Sequence, residues 1–418
     1  MYILLGQAPF RAQVTESGHL PLGPESVKTT SDSSNPVFFT HLECSECGER
    51  HDGGRLQTVC VKCDHALLAR YDLEQIKENA KPRALQKGAA NLWRWAIFLP
   101  VRDERYRVTL GEGSTPLLDA RRIDEKLGLR DLHIKEEGLN PTGSFKSRGM
   151  CVAVSRAVEL GVKDFAVPTA GNAGVALAAY VARAGARAHV FVPEDAPQRV
   201  KDEMRRYDAE VIEVAGLISD AGRVCSLYVE NNKGVMDVST LKEPYRVEGK
   251  KTMGLEIAAD LGWSSPDVVV YPAGGGTGVI GVWKAFKEMA ATGLTSEHMP
   301  RILVVQAEGC APIVKALKDG REECEMWQGA KTSAAGLRVP KPFADRLILK
   351  IVRETKGDGV TVTEEEIETG VGLMAMEGVN ASPEGGAAMA GLRKLVDSGA
   401  IGKNERVVVF NTGSGLAY

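Results

Sequence analysis

The sequence predicts an α/β fold built on mostly parallel sheets. From about residue 92 onward, short apolar runs rich in β-branched residues alternate with longer helical stretches, a pattern typical of βαβ units. The runs are hydrophobic at nearly every position, as expected for strands covered by helices on both faces. Three of these strands end in small or glycine-rich segments, PTAGNAG, YPAGGGTG and FNTGSG. Because ligands bind at the carboxyl ends of strands in open α/β folds, these segments predict one shared site.

The bulk composition indicates an ordinary globular protein. The chain has 418 residues, of which 44% are hydrophobic and 26% are charged, and its net charge is −3. This length allows one large domain or two medium ones. The charge balance argues against a nucleic-acid or anionic-membrane surface. We find no apolar run long enough to cross a bilayer and no basic region typical of a secretory signal, so we expect a cytoplasmic protein.

The N-terminal part differs from the rest of the chain. Residues 1–38 are rich in Ser, Thr, Gly and Pro and predict a poorly ordered arm. Residues 39–72 contain two C-x-x-C pairs, formed by Cys44, Cys47, Cys60 and Cys63. This spacing suits tetrahedral zinc, which would stabilise a segment too small to have its own core. A redox pair and a metal-free remnant are the alternatives, and the nearby His41, His51 and His65 are possible substitute ligands.

A glycine-rich loop predicts a phosphate site. It follows the strand DVVVYPA, precedes an amphipathic helix, and consists of Gly274, Gly275, Gly276, Thr277 and Gly278. Glycines let consecutive N–H groups point at one anion, and the helix N-terminus adds partial positive charge. The loop lacks the Lys-Ser or Lys-Thr of a P-loop and the G-x-G-x-x-G spacing of a dinucleotide site. It therefore indicates a single phosphate, with a tight turn that binds no ligand as the alternative.

A lysine is predicted at the start of a helix. The segment from Glu136 to Met150 ends a strand, passes a Pro/Gly turn and enters a helix, for which Ser144 is a reasonable N-cap. Lys146 would then lie in the first turn, where the helix dipole and the neighbouring Arg148 oppose its charge. This would lower the pKa of the amine and favour a nucleophile that can form a Schiff base. A solvated surface lysine is the alternative.

Five motifs resemble those of one enzyme family. In chain order they are LGEGSTPL (110–117), NPTGSFKSRGM (140–150), TAGNAG (169–174), GGGTG (274–278) and NTGSG (411–415). The set resembles the fold-type II pyridoxal phosphate (PLP) enzymes of the tryptophan synthase β group. The first segment is similar to that of threonine synthases, and so is EPYRVEGKKT (243–252). Two positions depart from the pattern: Glu243 replaces an asparagine, and Ser147 replaces the aspartate of many members.

The resemblance implies roles for individual residues. Lys146 would carry PLP as a Schiff base and act as the catalytic base once substrate releases it. The cofactor-binding residues would be Lys146 with Phe145, Asn172, Gly274, Gly275, Gly276, Thr277, Gly278 and Thr412. Arg246 would bind the substrate phosphate with help from Ser114 and Thr115, and a surface ion pair with Glu243 or Glu248 is the alternative for Arg246.

The resemblance also implies a fold, an assembly and an activity. The fold would contain two open, twisted, mostly parallel sheets with PLP between them, and a small zinc-ribbon-like N-terminal segment. Residues 73–147 and 246–418 would form the large domain and 148–245 the small one, in a homodimer. The activity would be conversion of O-phosphohomoserine and water to threonine and phosphate. The enzyme alternative is a PLP-dependent ammonia-lyase acting on threonine or serine, or a related β-replacement enzyme. The non-enzyme alternative is a zinc-ribbon binding protein on an inactive PLP-like scaffold.

Overall fold

The computed structural model describes residues 38–169, 171–216 and 218–417. The predicted arm over 1–38 lies outside the described residues except for its last position. The strands are β1 Phe39–Cys44, β2 Arg50–His51, β3 Leu67–Tyr71, β4 Leu117–Asp119, β5 Asp131–Glu136, β6 Asp164–Pro168, β7 Arg187–Pro193, β8 Glu210–Val214, β9 Val235–Asp237, β10 Val268–Pro272, β11 Arg301–Ala307, β12 Gly359–Val362 and β13 Arg406–Asn411.

The helices follow most of these strands, as the sequence pattern predicts. They are α1 Leu73–Asn79, α2 Pro82–Gln86, α3 Arg121–Leu127, α4 Lys146–Glu159, α5 Asn172–Arg183, α6 Gln198–Arg206, α7 Ile218–Asn231, α8 Tyr245–Asp260, α9 Thr277–Ala291, α10 Pro312–Lys318, α11 Asp345–Glu354, α12 Glu364–Met376 and α13 Pro383–Asp397. None of the helices in the described part of the chain is long and apolar enough to cross a membrane.

A six-stranded sheet forms the larger core. Its strand order is β12-β11-β10-β13-β5-β4, and only the edge strand β4 runs antiparallel to its neighbour. Successive residues of β10 pack on opposite faces: Val269 and Tyr271 join one hydrophobic cluster, while Val268 and Val270 join the other. The continuous apolar run of this strand therefore reflects burial on both sides, as the sequence predicts.

A separate four-stranded sheet has the order β8-β7-β6-β9 and is parallel throughout. The chain enters it after α4 and returns to the larger sheet through α8. The predicted class, an α/β protein with two mostly parallel sheets and a distinct cysteine-bearing segment before them, is confirmed.

The cysteine-bearing segment is a small antiparallel sheet, β2-β1-β3, that packs on α4 and α8. Arg156 of α4 donates a hydrogen bond to the carbonyl of Gly53 at 2.6 Å. The ring of Phe39 lies 6.4 Å from that of Tyr245, the first residue of α8. The hydroxyl of Tyr71 donates to Glu248 of α8 at 2.8 Å. These contacts attach the segment to the two helices that carry Lys146 and Arg246.

A fully buried ion network joins α4, α8 and the turn that follows β5. Arg148 of α4 bonds Glu137 through Nε at 2.6 Å and Glu256 of α8 through Nη2, also at 2.6 Å. Lys135 of β5 bonds the same Glu256 at 2.9 Å. All four side chains have no exposed surface. Because each buried charge contacts an opposite one, the network fixes the position of α4, and hence of its first residue, Lys146.

Candidate active site

The turn that precedes α4 pairs with the C-terminal loop. The N–H of Phe145 donates to the carbonyl of Thr412 at 3.0 Å, and the N–H of Ser414 donates to the carbonyl of Gly143 at 2.8 Å. Ser144 and Gly413 form an isolated antiparallel bridge between these two bonds. The pairing brings together the lysine and hydroxyl motifs, which are widely separated in the sequence.

Lys146 is the first residue of α4, as predicted, and its side chain is partly exposed. Its amine lies 3.9 Å from the ring centroid of Phe145. Burial, together with the charge of Arg246, lowers the pKa of Lys146 to about 8, against the opposing effect of Glu384. An appreciable fraction of the amine is therefore unprotonated near neutral pH, as a Schiff-base nucleophile requires.

Two details predicted around Lys146 are wrong. Ser144 is not the N-cap, because its backbone pairs with Gly413; Phe145 occupies the N-cap position, and the Ser144 hydroxyl has no hydrogen-bond partner. Arg148 does not act on the amine, because its guanidinium points into the ion network with Glu137 and Glu256. Burial and Arg246 lower the pKa of Lys146 instead.

The glycine loop lies between β10 and α9, as predicted. Gly276 has φ +78°, a conformation that favours glycine, and it is the N-cap of α9. A Cβ at Gly274 would lie 2.1 Å from the Gly336 carbonyl, and one at Gly278 would lie 1.8 Å from the Tyr271 hydroxyl. Packing as well as turn geometry therefore requires these glycines. The first N–H groups of α9 have no acceptor within the helix, so they are available to an anion.

Asn172 and Thr412 lie at two other strand ends. Asn172 is the first residue of α5 and lines a cleft of about 310 Å³ together with Gly143 and Ser414. Thr412 follows β13 directly and is buried. The preceding Asn411 donates hydrogen bonds to both carboxylate oxygens of Glu136 at 2.9 and 2.8 Å, which fixes the start of this loop.

Arg246 is 1% exposed and lies near Lys146. Its Nη1 donates to the carbonyl of Val238 at 2.7 Å, and its Nε has no partner. The carboxylate of Glu243 instead accepts the N–H groups of Tyr245 and Arg246, at 2.8 Å and 3.1 Å, and so caps α8. The alternative of a surface ion pair is therefore wrong: Arg246 is buried, and within the described ranges no carboxylate forms an ion pair with it.

Ser114 and Thr115 lie beside the ion network. Thr115 is buried; its hydroxyl donates to Glu137 at 2.6 Å and accepts from Arg148 at 3.0 Å. Ser114 is exposed, has φ +50°, and its N–H donates to Glu256 at 2.8 Å. Both residues are thus tied to the charges that support α4. The Thr115 hydroxyl already has two partners, which leaves it little capacity for a substrate.

Several buried polar atoms around Lys146 have no protein partner. They are Oγ of Ser144, the hydroxyl of Tyr271, Nε of Arg246 and one carboxylate oxygen of Glu384. Buried polar groups are nearly always hydrogen-bonded, so this group indicates a site built for a polar ligand. Tyr271, Glu384 and the buried Lys250 were not predicted from the sequence as part of the site. Only a long-range contact or burial distinguishes these residues, and no local motif contains that information.

The four predicted metal ligands lie together, at a distance from Lys146. Their sulfur atoms all lie within 4.8 Å of one another, with separations of 3.4 Å for Cys44–Cys63, 3.5 Å for Cys47–Cys63 and 3.7 Å for Cys47–Cys60. A tetrahedral zinc with Zn–S bonds of about 2.3 Å needs sulfur separations of about 3.8 Å. The geometry therefore fits zinc held by four cysteine ligands, and none of the histidines in the described ranges belongs to the group.

The chain resembles known proteins over most of its length. The sequence profile of a family described as "Pyridoxal-phosphate dependent enzyme" matches residues 108–413. Threonine synthase of Methanosarcina acetivorans is 38% identical over 375 residues, which cover 89% of this chain and 91% of that one. Threonine synthase of Methanocaldococcus jannaschii is 36% identical over 89% of this chain and 92% of its own. Threonine synthase of Mycobacterium tuberculosis is 34% identical over 76% of this chain and 86% of its own.

Solved structures show the same fold at lower sequence identity. Maize serine racemase superposes with a TM-score of 0.65 at 22% identity, covering 75% of this chain and 92% of its own. A processed threonine deaminase from Solanum lycopersicum superposes with a TM-score of 0.62 at 25% identity, covering 72% of this chain and 79% of its own. These structures support the fold-type II architecture, and the curated relatives define the family more narrowly. The chain belongs to the threonine synthase family of pyridoxal-phosphate dependent enzymes.

Proposed function

We propose that this chain converts O-phosphohomoserine and water to threonine and inorganic phosphate, with PLP attached to Lys146. The observation that carries the proposal is the placement of a partly buried amine with a pKa of about 8 beside an arginine that has no ion-pair partner in the described structure. The amine suits cofactor attachment, and the arginine suits a substrate phosphate. The relatives named threonine synthase support the same assignment.

The residues of the site fit PLP. The N-terminal N–H groups of α9 and its glycine loop would hold the cofactor phosphate, Asn172 would bond the ring hydroxyl, and Thr412 would face the pyridine nitrogen. Phe145 lies against the Lys146 amine and would border the ring. When bound, PLP supplies an electron sink for negative charge at the substrate α-carbon. Because a hydroxyl such as that of Thr412 does not stabilise a protonated ring nitrogen, this arrangement favours elimination and replacement at the β- and γ-carbons.

Protein side chains would supply proton transfer at the α-carbon and binding of the leaving phosphate. Lys146 would be the base that moves the α-proton of the substrate, and its lowered pKa would keep an unprotonated fraction of the amine available for this. Arg246 holds the phosphate while the bond to the γ-carbon breaks, because a guanidinium stabilises the charge that develops on the leaving group. In this proposal, the residue for proton transfer and the residue for leaving-group binding lie on different helices, α4 and α8.

The first prediction concerns the reaction. Wild-type protein should release phosphate from O-phosphohomoserine and form threonine in equal amounts, and Lys146→Ala should lower this turnover by about 10³-fold or more. Phosphate release and threonine are measured in the same reaction. Lys287→Ala, at an exposed position of α9, is the control and should retain full activity. Formation of 2-oxobutyrate from threonine without phosphate release from O-phosphohomoserine would instead identify an ammonia-lyase. No turnover and no visible cofactor absorbance would identify an inactive scaffold.

The second prediction concerns pH. Because the pKa of Lys146 is about 8, the rate at which apoprotein takes up PLP should rise with pH to a midpoint near 8. An ordinary lysine would give a midpoint of about 10.4. Removal of the Arg246 charge by Arg246→Met should move the midpoint upward, because that charge disfavours the ammonium form. Stopped-flow absorbance of the Schiff base measures this rate. A wild-type midpoint of about 10 or above, or no change in the variant, would contradict the assignment.

We propose that Cys44, Cys47, Cys60 and Cys63 bind one structural zinc ion. The sulfur separations fit a closed tetrahedral site that leaves no position for substrate. The segment contacts α4 at Arg156, which lies about 15 Å along the helix from Lys146. We therefore assign the metal to stability of the segment rather than to chemistry.

The third prediction tests the metal. Purified protein should contain one zinc per chain, and Cys47→Ser should lose it and melt at a lower temperature. Cys47 is the exposed ligand, so the substitution itself should cost little beyond loss of the metal. Elemental analysis and thermal melts with and without a chelator measure both effects. After chelation, wild type and variant should melt together. A wild type that lacks zinc, or that melts at the same temperature with chelator, would contradict the proposal.

Two further assignments accompany this function. We propose that residues 73–147 and 246–418 form the large PLP-binding domain and 148–245 the small one; the chain path through the two sheets supports this division. We also propose a homodimer acting on a small phosphorylated amino acid, on the basis of the family resemblance.

A further inference from the structure

The buried cations of this protein fall into two groups. Eight lysine and arginine side chains are buried in the described part of the chain. Six of them contact a carboxylate: Lys135, Arg148, Arg156, Lys201, Lys251 and Lys284. The other two, Arg246 and Lys250, form no ion pair with any described residue. A buried charge is costly without a partner, so these two residues need an explanation.

Arg246 and Lys250 lie one turn apart on α8. Side chains four residues apart share a helix face, where two like charges destabilise the helix. The two residues are 1% and 0% exposed. Lys251, the next residue, is paired in the way that buried lysines usually are: its amine lies 2.6 Å from Glu248 and 2.7 Å from Glu288. Two unpaired cations on one buried face form a site that an anion would stabilise.

The position of the Lys250 amine is defined by its surroundings. Its Nζ lies 3.4 Å from the carbonyl oxygen of Lys146 and 5.0 Å from the ring centroid of Phe145. A Cβ at Gly149 would lie 2.2 Å from this Nζ, and a Cβ at Gly281 would lie 2.7 Å from the Lys250 Cβ. The amine therefore occupies a niche made by two glycines, beside the proposed cofactor lysine.

We propose that Lys250 binds the phosphate group of the substrate together with Arg246. The proposal rests on the function proposed above and extends it, since it assigns a second cation to the leaving group. A phosphate dianion would offset both unpaired charges at once, and a buried ammonium would bond it strongly because water is excluded.

Ligand binding should change the protonation of Lys250. Burial, followed by the charges of Arg246 and Lys146, lowers the pKa of this amine well below its ordinary value, while Glu243 and Glu137 raise it. The thiol of Cys151, on α4, also faces this amine. A dianion bound beside this amine would favour its ammonium form and raise its pKa again, so phosphate binding should be accompanied by proton uptake.

The fourth prediction uses inorganic phosphate as the probe and the holoenzyme as the protein. Calorimetric titrations at about pH 8, where phosphate is largely a dianion, in two buffers of different ionisation enthalpy give affinity and proton uptake. Wild type should take up a proton when it binds phosphate. Lys250→Met and Lys250→Gln should bind phosphate at least about tenfold more weakly, and their proton uptake on binding should be smaller than that of wild type. Lys287→Met, at an exposed position of α9, is the control and should match wild type.

Steady-state kinetics and melting temperature separate binding from structure. Both variants should raise KM for O-phosphohomoserine about tenfold while kcat changes by less than about threefold. The affinity for PLP should not change. Lys250→Met should melt at a higher temperature than wild type in phosphate-free buffer, because it removes an unpaired buried amine. If wild type turned over no O-phosphohomoserine, the proposed function would fail, whereas the phosphate titration would still test this site.

Three results would overturn the proposal. The first is unchanged phosphate affinity and proton uptake in both variants. The second is a loss of PLP affinity comparable to the loss of phosphate affinity, since that would assign Lys250 to the cofactor phosphate. The third is a lower melting temperature of both variants with wild-type KM, which would assign Lys250 to packing alone.

Discussion

The buried ion network centred on Arg148 is the constraint on which the site depends. Arg148 joins Glu137, in the turn after β5, to Glu256 near the end of α8. It lies two residues after Lys146, so it fixes the first turn of α4 relative to the larger sheet. Removal of one partner from such a network typically costs about 3–5 kcal/mol, because an uncompensated charge stays buried. The network therefore holds the start of α4 rigidly, which is where the proposed chemistry requires the amine of Lys146 to be fixed.

The same helix, α8, uses its charges in two ways. Towards its C-terminal end Glu256 completes the Arg148 network, and in its first two turns Glu248 and Lys251 form ion pairs that reach Tyr71 of the cysteine-bearing segment. In the same two turns, Arg246 and Lys250 lack such partners. The paired charges hold the helix in place, and the unpaired ones face Lys146. This division explains how one helix can contribute both to stability and to anion binding.

Much of the fold and part of the site could be predicted from local sequence. The apolar runs predicted strands such as β10 and β13, and the glycine loop and Lys146 lie at helix starts as the pattern indicated. The ion pair of Arg148 with Glu256 could not be predicted, because the two residues lie 108 positions apart in the sequence. Glu243 departs from the asparagine of the family pattern, and the sequence did not reveal the effect of this change. In the structure its carboxylate caps the start of α8. No local pattern distinguishes Lys250 from the neighbouring Lys251, and only burial reveals its unusual state.

The proposed chemistry depends above all on which lysine carries the cofactor. Two amines lie against the ring of Phe145, those of Lys146 and Lys250, and both have lowered pKa values. Borohydride reduction of the holoenzyme followed by peptide mass spectrometry would locate the pyridoxyl group. We predict that Lys146 carries all of it. A pyridoxyl group on Lys250 or on any other lysine, or none on the protein, would contradict the proposed role of Lys146.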